Sequence, residues 1–142
     1  MENKYYAPSI QEFHVGFEYE VYSNKDSSWI VVDDFSNAYD YEDSPLYGVI
    51  KDLENNRIRV KCLNREDIES LGWFYKQTTD AGLDYFWDNK TQKHSIICNY
   101  TTGWTVITVR SDARKEDYTA FAGYIKNKSE LKRLLTQLGI SK

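Results

Sequence analysis

A chain of 142 residues, 41% hydrophobic and 28% charged, is long enough to bury one ordinary core and too apolar to stay disordered throughout. Its net charge of −4 disfavours duplex nucleic acid binding by the whole surface, because that affinity comes mainly from neutralising phosphates. Two cysteines in a chain of this length exclude the disulfide scaffold of small secreted proteins.

The charge is unevenly spread: residues 1–56 carry 3 basic and 12 acidic side chains, whereas residues 110–142 carry 8 and 4. Aromatic residues make up 15% of the chain, with 12 Tyr, 6 Phe and 4 Trp. Aromatics favour pleated, half-buried surfaces, so the composition points to a sheet-rich domain. The N-terminus lacks a signal-peptide core, and the longest apolar runs fall far short of the roughly 20 residues of a spanning helix. The expectation is a soluble protein of the cytoplasm with no membrane partner.

In chain order, FHVGFEYEVY (residues 13–22) alternates with period two and predicts a strand. Phe13, Val15, Phe17, Tyr19 and Val21 would face one way. Residues 24–26 read as a turn, and WIVVDDF from Trp29 as a second strand. Ser36 to Pro45 reads as a polar loop, and Leu46 to Leu53 as a strand. Asn55 and Asn56 form a turn pair, since Asn tolerates the left-handed conformation. Arg57 to Leu63 alternates again.

Asn64 is a strong helix cap, Glu66 and Asp67 favour the positive helix start, and Gly72 supplies a stop. A short middle helix over about 65–71 follows. Strands are then expected from Trp73, over Leu83–Trp87, over His94–Tyr100, from Trp104 to Arg110, and over Ala120–Ile125. Residues 111–117 read as a loop. Ser129 is expected to cap a C-terminal amphipathic helix over about 130–138, with Leu131, Leu134, Leu135 and Leu138 as its apolar stripe. The fold class is α+β, with a mainly antiparallel, aromatic-rich sheet. With no repeat or linker, residues 1–142 read as a single domain.

Chemistry is sparse. No GxSxG, Walker loop, GxGxxG or metal-ligand cluster is present, so no catalytic residue, metal or cofactor is assigned. Glu18 and Glu20 would share a strand face, which reads as solvated surface, as does His14. His94 and Cys98 would share another face, but four strand residues place them about 13 Å apart, too far for an activated thiolate. The bland readings prevail, and a non-enzymatic role is favoured.

Two surface sets remain. Asp33 to Asp43 sets Phe35, Tyr39 and Tyr41 among five carboxylates, a mixture suited to a protein partner because aromatics give contact area and acids give steering. The partner-binding residues so assigned are Asp34, Phe35, Tyr39, Asp40, Tyr41, Glu42 and Asp43. The alternative is nucleotide capture, with Trp87, Tyr100 and Trp104 stacking a base and Arg110 or Arg114 meeting a phosphate. Trp73 and Tyr85 belong to the same aromatic set, most of which is expected in the core.

The blocks YYAPSIQEFHVGFEYEVY, REDIESLGW and GYIKNKSELKRLLTQLGI, about a third of the chain, resemble small proteins encoded by gut Bacteroidales bacteria and their phages. The resemblance brings no catalytic residues. It implies a phage or mobile-element accessory protein acting in a bacterial cytoplasm, binding a protein partner, joining an assembly or inhibiting a host defence.

Overall fold

The structure is a computed structural model that describes residues 3–14, 16–33, 45–88, 93–111 and 116–140. The chain divides into two compact units, Met1–Cys62 and Leu63–Lys142. Each carries its own antiparallel sheet and its own buried cluster, which makes the fold α+β.

The N-terminal unit runs β1 (Tyr5–Tyr6), a 3₁₀ turn (Ile10–Glu12), β2 (Tyr19–Ser23), β3 (Ser28–Val32), α1 (Pro45–Glu54) and β4 (Ile58–Lys61). The strands pair in the order β1-β4-β2-β3. Two expectations are corrected here. The ladder expected from residue 13 begins only at Tyr19, because Gly16 adopts φ +87° and turns the chain beforehand. Phe13, Phe17 and Tyr19 still share a core, but through ring packing at centroid distances of 4.9 and 5.0 Å from Phe13. Leu46 to Leu53, expected as a strand, lies in α1. Pro45 suits the first helical position, where its missing N–H costs nothing, and Leu46, Val49 and Leu53 recur at helical spacing. Val49 is fully buried and Leu53 packs against the same cluster. The Asn55–Asn56 turn forms as expected, with Asn56 at φ +54°.

The C-terminal unit runs α2 (Arg65–Ser70), β5 (Trp73–Thr78), β6 (Asp84–Asp88), β7 (His94–Cys98), β8 (Trp104–Ser111), β9 (Glu116–Tyr124) and α3 (Lys128–Gln137). Its five strands form an antiparallel meander in sequence order. One face of that sheet is covered: Phe86, Ile96, Cys98 and Ile107 bury against Ile68 of α2 and Leu131 and Leu135 of α3. Asn64 caps α2 in a reciprocal box, its Oδ1 accepting the Asp67 N–H at 2.9 Å while its own N–H donates to the Asp67 carboxylate at 3.3 Å. Gly72 then stops the helix at φ +96°.

The last helix starts two residues earlier than expected. Asn127, not Ser129, is its cap, and its Oδ1 accepts the Glu130 N–H at 2.8 Å. Glu130 in turn accepts the Lys126 N–H at 2.9 Å, so the charged residue of the first turn completes the start. The leucine stripe behaves as expected, with Leu131 and Leu135 buried and Leu134 and Leu138 packed against the cluster. The final strand also begins earlier, at Glu116 rather than Ala120, because β8 supplies partners all the way to Ser111. Among the described residues no helix is long and apolar enough to cross a membrane.

Candidate nucleotide-binding face

Strand alternation sorts the five-stranded sheet into two chemically different faces. The covered face holds Trp73, Phe86, Ile96, Cys98, Thr105 and Ile107, all buried. The opposite face follows from the ladder register. Phe74 lies against Trp87, Trp87 against Ser95, Ser95 against Thr108, and Arg110 against Asp117. One pleat along, Tyr85, Ile97, Val106 and Ala122 stand in a second row. At the end of the sheet Trp104 meets Tyr124.

A shallow groove of about 210 Å³ crosses this outer face, lined by Lys76, Tyr85, Trp87, Lys93, Arg110 and Asp117 among others. Ser95 and Thr108 form part of its lining and their hydroxyls are hydrogen-bonded to each other. The volume is below the roughly 300 Å³ at which pockets begin to enclose a small molecule, so a ligand would lie on the sheet rather than inside it. Among the described residues three cations line it against one carboxylate.

Lys76 stands on this face by simple alternation, two residues beyond Phe74, and the β5–β6 register slips beside it, between Tyr75 and Gln77. Its ammonium lies over two rings, 4.8 Å from the Trp87 centroid and 5.3 Å from that of Tyr85. A cation–π contact at an exposed site holds only about 0.5–1 kcal/mol, so the ammonium can exchange its ring for an anion.

Of the nucleotide set inferred from sequence, Trp87 and Arg110 line the same groove. Trp104 shares their face but stands at its far end, 41% exposed and edge-on to Tyr124 at 5.1 Å. Tyr100 departs from the set: it packs against the core, and its buried hydroxyl faces Asp84 without a hydrogen bond of standard geometry. Burial and the Asp84 carboxylate push that phenol well above its usual range. Arg114 lies outside the described residues, as do all seven residues of the partner-binding set, Asp34 to Asp43. Sequence reasoning missed Lys76 and Lys93. The period-two spacing of 85/87 and 104/106/108/110 signals two faces, but the register that gathers these cations comes only from strand pairing.

The remaining chemical candidates are occupied structurally. Glu20 pairs with Arg59 at 2.9 Å, and the Arg59 guanidinium also lies over the Tyr5 ring at 3.7 Å and the Trp29 ring at 4.3 Å. His14 leans on Phe17. His94 faces the buried Asp88 at 3.6 Å, longer than a hydrogen bond. Burial pushes the Cys98 thiol up to about 11, which leaves it in the unreactive thiol form at neutral pH.

Inside the covered face lies a polar cluster. Asp84, almost wholly buried, takes two bonds from Arg65, at 2.9 and 3.2 Å, and one from Thr78 at 2.7 Å. Arg65 also stacks on Tyr75 at 4.0 Å. Burial alone would raise the Asp84 carboxyl, but the bonds from Arg65 and Thr78 outweigh it and hold it below the usual value. This cluster ties α2 to β5 and β6 and presents nothing to a ligand. Among the described residues no group of three or more His, Cys, Asp or Glu side chains is placed to hold a metal ion. No known protein-family pattern, curated protein or solved structure matches the chain.

Proposed function

We propose that this chain is an accessory binding protein whose ligand surface is the outer face of the five-stranded sheet, and that the ligand carries a phosphate and a nucleobase. The observation that carries the reading is the groove in which, among the described residues, Lys76, Lys93 and Arg110 line the surface around Trp87 and Tyr85 together with the carboxylate of Asp117. A base stacking on Trp87 would displace the Lys76 ammonium toward its own phosphate. Stacking is tolerant of base identity, whereas the cations select for negative charge. The accessory role in a phage or mobile element, expected from the sequence resemblance, is compatible with binding of this kind.

The test is tryptophan fluorescence of the protein titrated with AMP, with inorganic phosphate as competitor. AMP should quench Trp87, and added salt should weaken the effect. Lys93→Ala with Arg110→Ala should reduce affinity at least about tenfold, since a hydrogen bond to a charged group contributes roughly 1.5–3 kcal/mol. No quenching at millimolar AMP, or an unchanged affinity in the double variant, would overturn the reading.

A further inference from the structure

The groove is only one end of the outer sheet face. Its other end carries the Trp104–Tyr124 pair, with Tyr124 62% exposed and the rings edge-on at 5.1 Å. In the ladder, Trp87 of β6 is level with Ser95 of β7 and Thr108 of β8, and Thr108, two strands away, lies four residues along β8 from Trp104. With strands about 4.8 Å apart and a rise of about 3.3 Å per residue, the two aromatic sites stand roughly 16 Å apart. That exceeds the reach of one nucleotide.

The surface between them is neutral. Ile97 and Val106 occupy the row between the two sites, with Ala122 on β9, and none carries a charge. The buried carboxylates of this sheet, Asp84 and Asp88, lie on the covered face; Asp117 is the acid that the register places on the outer one. Cations therefore flank one stacking site, an uncharged floor follows, and a second stacking site ends the path. A folded peptide would be served as well by the apolar floor, but it would not call for three cations at one end. A duplex would not expose bases to either aromatic site.

We infer that the outer face binds single-stranded nucleic acid laid diagonally across the sheet, with one base on Trp87, its phosphate at Lys76, Lys93 and Arg110, and a later base on Trp104. This rests on the nucleotide-binding reading of the groove and adds the ligand's class and its direction across the sheet. The span corresponds to a strand of about four nucleotides or more, the low end of site sizes for single-strand binders.

The experiment compares AMP, a labelled hexanucleotide of adenosine and the same sequence as a duplex, by fluorescence anisotropy and competition. The hexanucleotide should bind at least about tenfold tighter than AMP, and the duplex weakest. Trp104→Ala should weaken the hexanucleotide about 5- to 150-fold, the range for losing one stacked base, and leave AMP unchanged. Tyr124→Ala, which keeps the indole, should have a smaller effect in the same direction. Circular dichroism confirms that each variant is folded, and Tyr124→Ala replaces Trp104→Ala if the latter is not. AMP bound as tightly as the hexanucleotide, or a hexanucleotide affinity untouched by both variants, overturns this inference while sparing the groove. Absence of binding to either ligand overturns the groove reading itself.

Discussion

The Asp84–Arg65 pair offers a sharp test, because its two members are unequally buried. The Asp84 side chain is 3% exposed and the Arg65 side chain 36%. Removing one partner of a buried pair typically costs about 3–5 kcal/mol, mostly through the charge left behind. Asp84→Asn strands the guanidinium, which can turn to water, so its cost should sit at or below the bottom of that range. Arg65→Gln strands a carboxylate that cannot reach water, so at pH 7 its cost should be larger. That carboxylate has one escape, which is to take a proton. Each pH unit of displacement from its ordinary value near 4 corresponds to about 1.4 kcal/mol.

The two signs are opposite. In the wild type the Asp84 carboxyl is held low, so its stabilisation is present above the ordinary carboxylate range and is lost as pH falls toward its folded value. In Arg65→Gln burial dominates and the folded carboxyl titrates above its unfolded value, so stability is lost as pH rises. Urea denaturation followed by circular dichroism at pH 7 and pH 5 should therefore show the gap between wild type and Arg65→Gln shrinking in acid, by up to about 1.4 kcal/mol per pH unit. Asp84→Asn should show no such change over the same interval. If Asp84→Asn proves the more damaging variant at pH 7, or if the Arg65→Gln gap is independent of pH, the cluster is not held by this pair.

Leu135 is buried under the sheet and Lys132 of the same helix is exposed. Leu135→Ala should cost about 2–5 kcal/mol and lower the denaturation midpoint sharply, while Lys132→Ala should stay within about 0.5 kcal/mol of wild type. Gly103 sits at φ +82°, where an added Cβ would lie 3.0 Å from the Ile125 carbonyl oxygen. Gly103→Ala should thus destabilise by more than about 1 kcal/mol, and an unchanged thermal midpoint would contradict the strain. Both cysteines are free, but Cys98 is buried and Cys62 only half-buried. Maleimide labelling of native protein should modify Cys62 more than tenfold faster than Cys98, with the difference vanishing in denaturant; equal native rates would refute the burial argument.

Local chemistry alone determined much of this protein. The Asn64 cap with its acidic first turn, the Asn55–Asn56 turn and the leucine stripe of α3 act within a few residues of themselves, so they are legible without knowing what they pack against. The β-branched run of β8 announces a strand for the same reason. Helix α1 is not legible locally, because an apolar stretch bounded by turn residues fits either element, and the packing of Val49 and Leu53 against one cluster decides it. Likewise Asn127 displaced Ser129 as the cap because both are good caps, and the choice depends on which backbone N–H the chain path brings within reach. The candidate ligand face lay furthest from the sequence. Lys76, Trp87, Lys93 and Arg110 are scattered over 35 residues, and only antiparallel pairing brings them to a common groove. Tyr100, indistinguishable from its aromatic neighbours in sequence, turns to the buried Asp84 instead. Which aromatic becomes core and which becomes surface is a property of register, set by long-range pairing that no window of residues contains.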